Sequence, residues 1–262
     1  MSSVLFCLQL SPIDANDALD LASLIADIQR AFPAKCNPSW FISYRQDTPL
    51  SRVFGVEGAL VSAFNRQVWV ARAKRFATGW PAGPNALWRS AMEDIADLAL
   101  DGKTGAQGVL TFEPDCIPLA HDWIDRLEAE YSNRVRDIVG NFHQLDTVDL
   151  HINGNSMWPV DLAKRWPQVL DVPTEWAWDY FNREFFLPYA QDTPLIAQIY
   201  RRKVFKVEEW NSIRKHDLRP VLLHGIKDHS GRRIAREQLL YGVPVRRPTM
   251  RHNTSRAIRL VG

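Results

Sequence analysis

Cysteine is scarce in this chain, with three in 262 residues: Cys7 in an apolar run, Cys36 in a loop and Cys116 beside a pair of acids. None has metal-ligand or redox spacing to another. That excludes a disulfide framework and predicts three reduced thiols. Long apolar runs are missing too. The first hydrophobic stretch, Val4 to Leu10, is too short to span a bilayer and has no basic residue before it, so neither a membrane anchor nor a secretory signal is expected and a cytoplasmic location is the default. Internal repeats and low-complexity segments are absent. Net charge is almost absent as well, at +2 from 32 basic and 30 acidic residues, but it is unevenly spread. Residues 231–262 hold eight arginines against one acid, Glu237, a net +7 that leaves the remainder at −5. Such a segment can track a phosphate backbone through Arg232, Arg233, Arg236, Arg246, Arg247 and Arg251. Arg-rich tails also serve solubility or subunit contacts.

What is present is a chain 46% hydrophobic and long enough to bury a full core, expected as one domain over 1–230 followed by a basic tail over 231–262. Apolar strand-like runs at Val4–Leu10, Trp40–Tyr44, Val68–Ala71 and Gly108–Phe112 alternate with segments of helical spacing at 17–32, 51–64 and 86–100. This alternation predicts an α/β fold, a mainly parallel sheet flanked by helices. A turn-rich loop, Gly79 to Asn85, precedes the third helix. Further on, a helix near Asp122–Tyr131 and a strand near Ile138–Val139 are expected, and the second half is aromatic and less regular.

Glu113 and Asp115 follow the fourth strand one residue apart, a spacing that points both side chains to one face of an extended chain. Pro114 and Pro118 place them at a strand end rather than inside a ladder. Ligands of open parallel sheets bind at carboxyl ends of strands, and exposed oxygen ligands there suit Mg²⁺ or Mn²⁺. A solvated acidic turn has the same spacing.

The run Phe112-Glu113-Pro114-Asp115-Cys116-Ile117-Pro118 resembles the DXD-type motif of glycosyltransferases of the GT-A fold, in a variant with Glu first. Gly83-Pro84-Asn85 before it, and His151-Ile152-Asn153-Gly154-Asn155 and His224-Gly225-Ile226-Lys227-Asp228 after it, extend the likeness over about residues 4 to 230. The resemblance implies a metal site of Glu113, Asp115 and His224 holding Mn²⁺ or Mg²⁺, and a nucleotide-sugar donor, UDP-linked in the first instance. Lys227 would sit on the diphosphate, with Asn85 and Asn153 on donor hydroxyls. His224 also fits a core histidine, Lys227 a surface lysine, Asn85 a helix-entry turn and Asn153-Gly154 a tight turn. The segment Thr174 to Tyr180 sets acids among aromatics and offers Asp179, with Glu175 as competitor, as the base that deprotonates an acceptor. An amphipathic helix packed on the sheet fits the same segment.

Among relatives of this kind, small phage-type and base J-type enzymes glucosylate hydroxymethylated pyrimidines in DNA. With the basic tail, that resemblance suggests DNA as acceptor, in a host cytoplasm if the chain is phage-encoded, with Trp158, Trp176 or Trp178 stacking on a flipped base. A polysaccharide or protein acceptor is the second enzyme reading, and a non-catalytic nucleic-acid-binding protein is a further one. A nucleotidyltransferase would share the sheet and acids, but it normally carries a Gly-rich basic loop after the first strand, which Ser11-Pro12-Ile13-Asp14 lacks.

Overall fold

A computed structural model describes residues 3–145, 148–202, 204–215 and 220–242. The expected alternation forms as β1 (Val4–Leu10), α1 (Ala15–Ala31), β2 (Trp40–Tyr44), α2 (Leu50–Phe64), β3 (Val68–Arg72), α3 (Ala82–Leu100) and β4 (Gly108–Phe112). Helix α3 begins four residues before the expected start, so Gly83, Pro84 and Asn85 lie in its first turn and not in a loop. Proline is tolerated there because first-turn N–H groups have no partner within the helix. The second half contains β5 (Ile117–Pro118), α4 (Trp123–Ser132), β6 (Ile138–Gly140), β7 (Phe142–Leu145), β8 (Val148–Ile152), β9 (Met157–Pro159), α5 (Leu162–Arg165), α6 (Trp178–Phe181), α7 (Arg183–Phe186), β10 (Ala190–Asp192), β11 (Ile196–Arg202), α8 (Val207–Lys215), β12 (Leu222–Ile226) and α9 (His229–Leu240).

The main sheet runs β10-β6-β9-β4-β1-β2-β3, parallel in every pairing except those of β9 with β4 and β6. A smaller sheet, β11-β12-β5, and the hairpin β7-β8 lie beside it. Strand β1 is central and buried on both faces, which is why it reads as an unbroken apolar run. Val4, Phe6, Leu8 and Leu10 enter one core with residues of α1, α2, α4, α8 and α9. Leu5 and Cys7 enter the other, with α3, α5, α6 and α7. No helix among the described residues is long and apolar enough to cross a membrane.

Helix α9 runs across residue 230, where a boundary is expected. Residues 231–240 belong to α9, which packs on α1 and puts Ile234, Ala235 and Leu239 into the first core. Arg232 is fully buried there, so it forms no part of a nucleic-acid surface. Its Nε donates to Asp20 at 2.8 Å, one Nη to Asp17, and the other to the carbonyl of Pro114 at 3.0 Å. Arg236, one turn on, lies 3.6 Å from Asp20 and 3.3 Å from Asp27. Only Arg233 points outward, paired with Glu237. Arg246, Arg247 and Arg251 lie outside the described residues.

Replacing Arg232 by Met keeps the volume but strands two carboxylates and a carbonyl. Removing one partner of a buried pair costs about 3 to 5 kcal/mol, and about 3 is expected because both acids keep some solvent contact. Burial works against the Asp20 charge, but Arg232 holds its pKa below the ordinary carboxylate range. Its contribution to stability is therefore present above the unfolded value of about 3.9 and lost as pH falls through the lower folded value. Denaturant unfolding at several pH values should show both the loss and a flatter acid limb in Arg232→Met.

Candidate active site

Strand β4 delivers its chain at Phe112 into a turn whose two acids are held by their backbone. The Glu113 N–H donates to Asn155 Oδ1 at 2.9 Å, and Cys116 N–H closes the turn on the Glu113 carbonyl at 3.0 Å. The Pro114 carbonyl accepts from Arg232, and the Asp115 carbonyl accepts from the Ile226 N–H at 3.3 Å. Glu113 and Asp115 do face one way, but through this turn and not through an extended strand. Ile117 and Pro118 then form β5, antiparallel to β12 at the edge of the small sheet, a position that suits a residue without an N–H. Asp115 is also not the exposed strand-end acid expected: it is buried, and Glu113 is the more open of the two.

Strand β12 brings His224 to the same point. Its Nε2 lies 3.2 Å from Glu113 Oε2 and 3.3 Å from Asp115 Oδ1, and Lys227 Nζ lies 2.5 Å from Asp115 Oδ2. Gly225 follows with φ +104°, and a Cβ there would sit 2.2 Å from the Ile199 carbonyl oxygen, so only glycine lets β12 run this close to β11. Burial works against the charge on Asp115, His224 and Lys227. Asp115 is nevertheless held well below the carboxylate range by His224 and Lys227, and the two carboxylates raise His224 to about 9. Lys227 is likewise raised, its burial outweighed by Asp115.

The three groups fit a divalent cation. One ligand atom from each of Glu113, Asp115 and His224 lies within 4.8 Å of the others. Both Asp115 carboxylate oxygens and His224 Nδ1 are buried without a well-formed hydrogen bond, so the Asp115 oxygens are not committed to backbone donors. Two carboxylates and one imidazole form a hard donor set suited to Mn²⁺ or Mg²⁺.

This cluster forms part of the wall of a cavity of about 520 Å³. The expected site residues divide around it. Glu113, Asn85, Asn153, Asp179, His224 and Lys227 line it. Glu175 does not: it is exposed and accepts a hydrogen bond from its neighbour Thr174. Asp179 accepts from the N–H groups of Gly154 and Tyr180 at 3.1 and 2.9 Å, and desolvation in the wall raises its pKa. The amide of Asn85 is spent on the Trp176 carbonyl and the Trp178 N–H, so it holds a wall segment. Asn153 accepts from the backbone and side chain of Asn155 and donates to Gln198. Trp158 and Trp178 are corrected as stacking surfaces, being buried and packed with Trp88. Of the other lining residues, His151 and Asn155 open and close the motif around Asn153 but were given no role, and Gln9, His143 and Gln198 carried no signal in the sequence.

No protein-family model and no curated protein matches the chain. Solved structures do. Over 91% of its length the chain superposes on half of WbbM, a bifunctional glycosyltransferase, with TM-score 0.52 and 11% identity. Over 87% of its length it superposes on 98% of mouse xyloside xylosyltransferase 1, with TM-score 0.50 and 8% identity. The chain has a glycosyltransferase fold. It spans half the length of the first of these proteins, and its acidic turn follows the carboxyl end of its own β4 while the late histidine stands in the middle of β12.

Because Asn155 fixes the turn without facing an ion directly, Asn155→Ala should lower Mn²⁺ affinity roughly 10- to 100-fold, the range for groups that orient ligands. Asp115→Ala should abolish binding outright. Calorimetric titration of Mn²⁺ into folded variants checks both. Unaltered Mn²⁺ binding by Asp115→Ala would remove the metal site.

Proposed function

We propose that the chain is a metal-dependent glycosyltransferase that moves a sugar from a nucleotide-linked donor to a hydroxyl acceptor. The observation that carries this reading is the triangle of Glu113, Asp115 and His224 with Lys227 beside it, where the turn after β4 meets β12 in a chain of this fold. Mn²⁺ or Mg²⁺ held by the triangle supplies neutralisation of the charge that builds on a departing diphosphate. Lys227 adds a point charge on the same side, fixed by Asp115.

Asp179 is the base in this reading, and Glu175 is left aside because it stands outside the cavity lining. Its two hydrogen-bonded N–H groups orient the carboxylate. The acceptor hydroxyl gives its proton to Asp179, its oxygen bonds to the anomeric carbon, and the bond from that carbon to the diphosphate breaks with its electrons passing to the diphosphate. A carboxylate with a raised pKa is the stronger base, which suits the task.

Two expectations follow. Incubation with UDP- and GDP-sugars and Mn²⁺ should release nucleoside diphosphate, and chelation should stop it. The absence of release across the panel would refute the transferase reading. The rate should fall as pH drops through the raised Asp179 pKa, because protonation removes the base. Asp179→Asn should lower transfer by about 10²- to 10⁴-fold, the range for a general base, and erase that acid limb while donor binding persists. A pH profile unchanged in the variant would assign the base elsewhere.

A further inference from the structure

Two groups of aromatic residues stand at and behind the cavity wall. Trp88, Trp158 and Trp178 are buried and packed on one another, with Trp88 and Trp178 stacked at 3.7 Å. Trp80 and Trp176 instead stand 68% and 47% exposed while lining the cavity, and Tyr180 lines it with its ring 18° from the plane of Trp176 at 5.7 Å. The core is complete without these three. We propose that they form the acceptor subsite and that the acceptor is a neutral pyranoside, an inference that rests on the glycosyl-transfer reading above.

A pyranose ring carries a face of polarised C–H groups and a girdle of hydroxyls. It is matched by a flat π surface with hydrogen-bonding groups at its margin. His151 packs edge-on against Tyr180 at 5.6 Å, and His143 against His151 at 5.4 Å, both lining the cavity. His151 Nδ1 is engaged by the Asp149 carbonyl, so its Nε2 is the ring nitrogen left to meet a hydroxyl. Asn85 anchors the backbone on both sides of Ala177, which makes the wall a prepared surface.

Charge decides between a sugar and a nucleic-acid base, both of which stack on aromatics. The rim is acidic: Glu175 adjoins Trp176, Asp149 reaches the Tyr180 hydroxyl at 3.5 Å, and Glu184 is exposed. Arg183 lies over the Tyr180 ring at 4.4 Å and is shared between Asp149 and Glu184. Of the α9 arginines, Arg232 is buried and Arg236 is paired with Asp20 and Asp27 of α1, on the other face of the sheet. A phosphate backbone led to this rim would meet carboxylates, whereas a neutral glycoside meets no such penalty.

The test is saturation-transfer NMR on the full chain with Mn²⁺ and UDP, using methyl α- and β-glycosides of glucose, galactose, mannose and xylose, and in parallel a hydroxymethylcytosine oligonucleotide. At least one glycoside should bind, and Trp176→Ala, folded by near-UV circular dichroism, should weaken it by about tenfold or more. Trp176→Phe, which keeps a π face, should restore most of the affinity, an outcome that loss of backbone support alone would not give. Binding of the oligonucleotide but of no glycoside, or glycoside binding indifferent to Trp176→Ala, overturns the proposal. Nucleoside diphosphate release is scored separately. Glycoside binding with no release would count against the transferase reading and not against the subsite.

Discussion

Arg232 carries its charge to a place without solvent contact, and a charge is tolerated there only because Asp17 and Asp20 of α1 accept from two of its nitrogens. Its third contact, to the Pro114 carbonyl, turns this cost into a geometric constraint. The acidic turn is held from below by a group that cannot move without unpairing a buried ion. Asn155 holds it from the other side, and the Ile226 N–H ties it to β12, the strand that carries His224. Segments more than a hundred residues apart therefore meet at one turn. The spacing of Glu113, Asp115 and His224 follows from their backbones before any ion is considered.

The same arrangement explains why two carboxylates can stand beside one another. Like charges this close raise each other's pKa unless cations lie nearby. Here His224 and Lys227 supply the cations, and the imidazole is in turn raised to about 9 by the acids. Asp115 stays ionised by this internal compensation, and a divalent ion would take over that work from the histidine proton. Binding of such an ion would therefore be coupled to proton release.

Much of this was legible because its physics is local. Strand β1 is buried on both faces and reads as a continuous apolar run, and α1 shows its core face through Leu21, Leu24, Ile25 and Ile28. The Glu113-Pro114-Asp115 run stood out because acids directly after a buried strand have no packing role. The parts that were misread depend on contacts made at long range. Nothing near Arg232 in sequence indicates that Asp17 and Asp20 will neutralise it, so an interior arginine looked like one more member of a basic tail. Asp115 looked exposed because Lys227 and His224, its partners, lie more than a hundred residues on. Trp158 and Trp176 both read as candidate stacking residues, yet one lies in β9 packed on Trp88 and the other on the cavity rim. Only the antiparallel insertion of β9 between β4 and β6 separates them.

That insertion also sorts the charges. With β9 in place, the chain crosses to the face of the sheet carrying α3 and α5 through α7, where the aromatic wall and its acidic rim are built, while α1 and α9 bring the arginines and their partners to the opposite face. Arg232 and Arg236 of α9 are thus consumed in holding two helices and the acidic turn together. A basic segment and an acceptor site can belong to one chain without belonging to one function. In this fold, Arg232 and Arg236 serve the geometry of α1, α9 and the acidic turn, whatever the remaining basic residues contact.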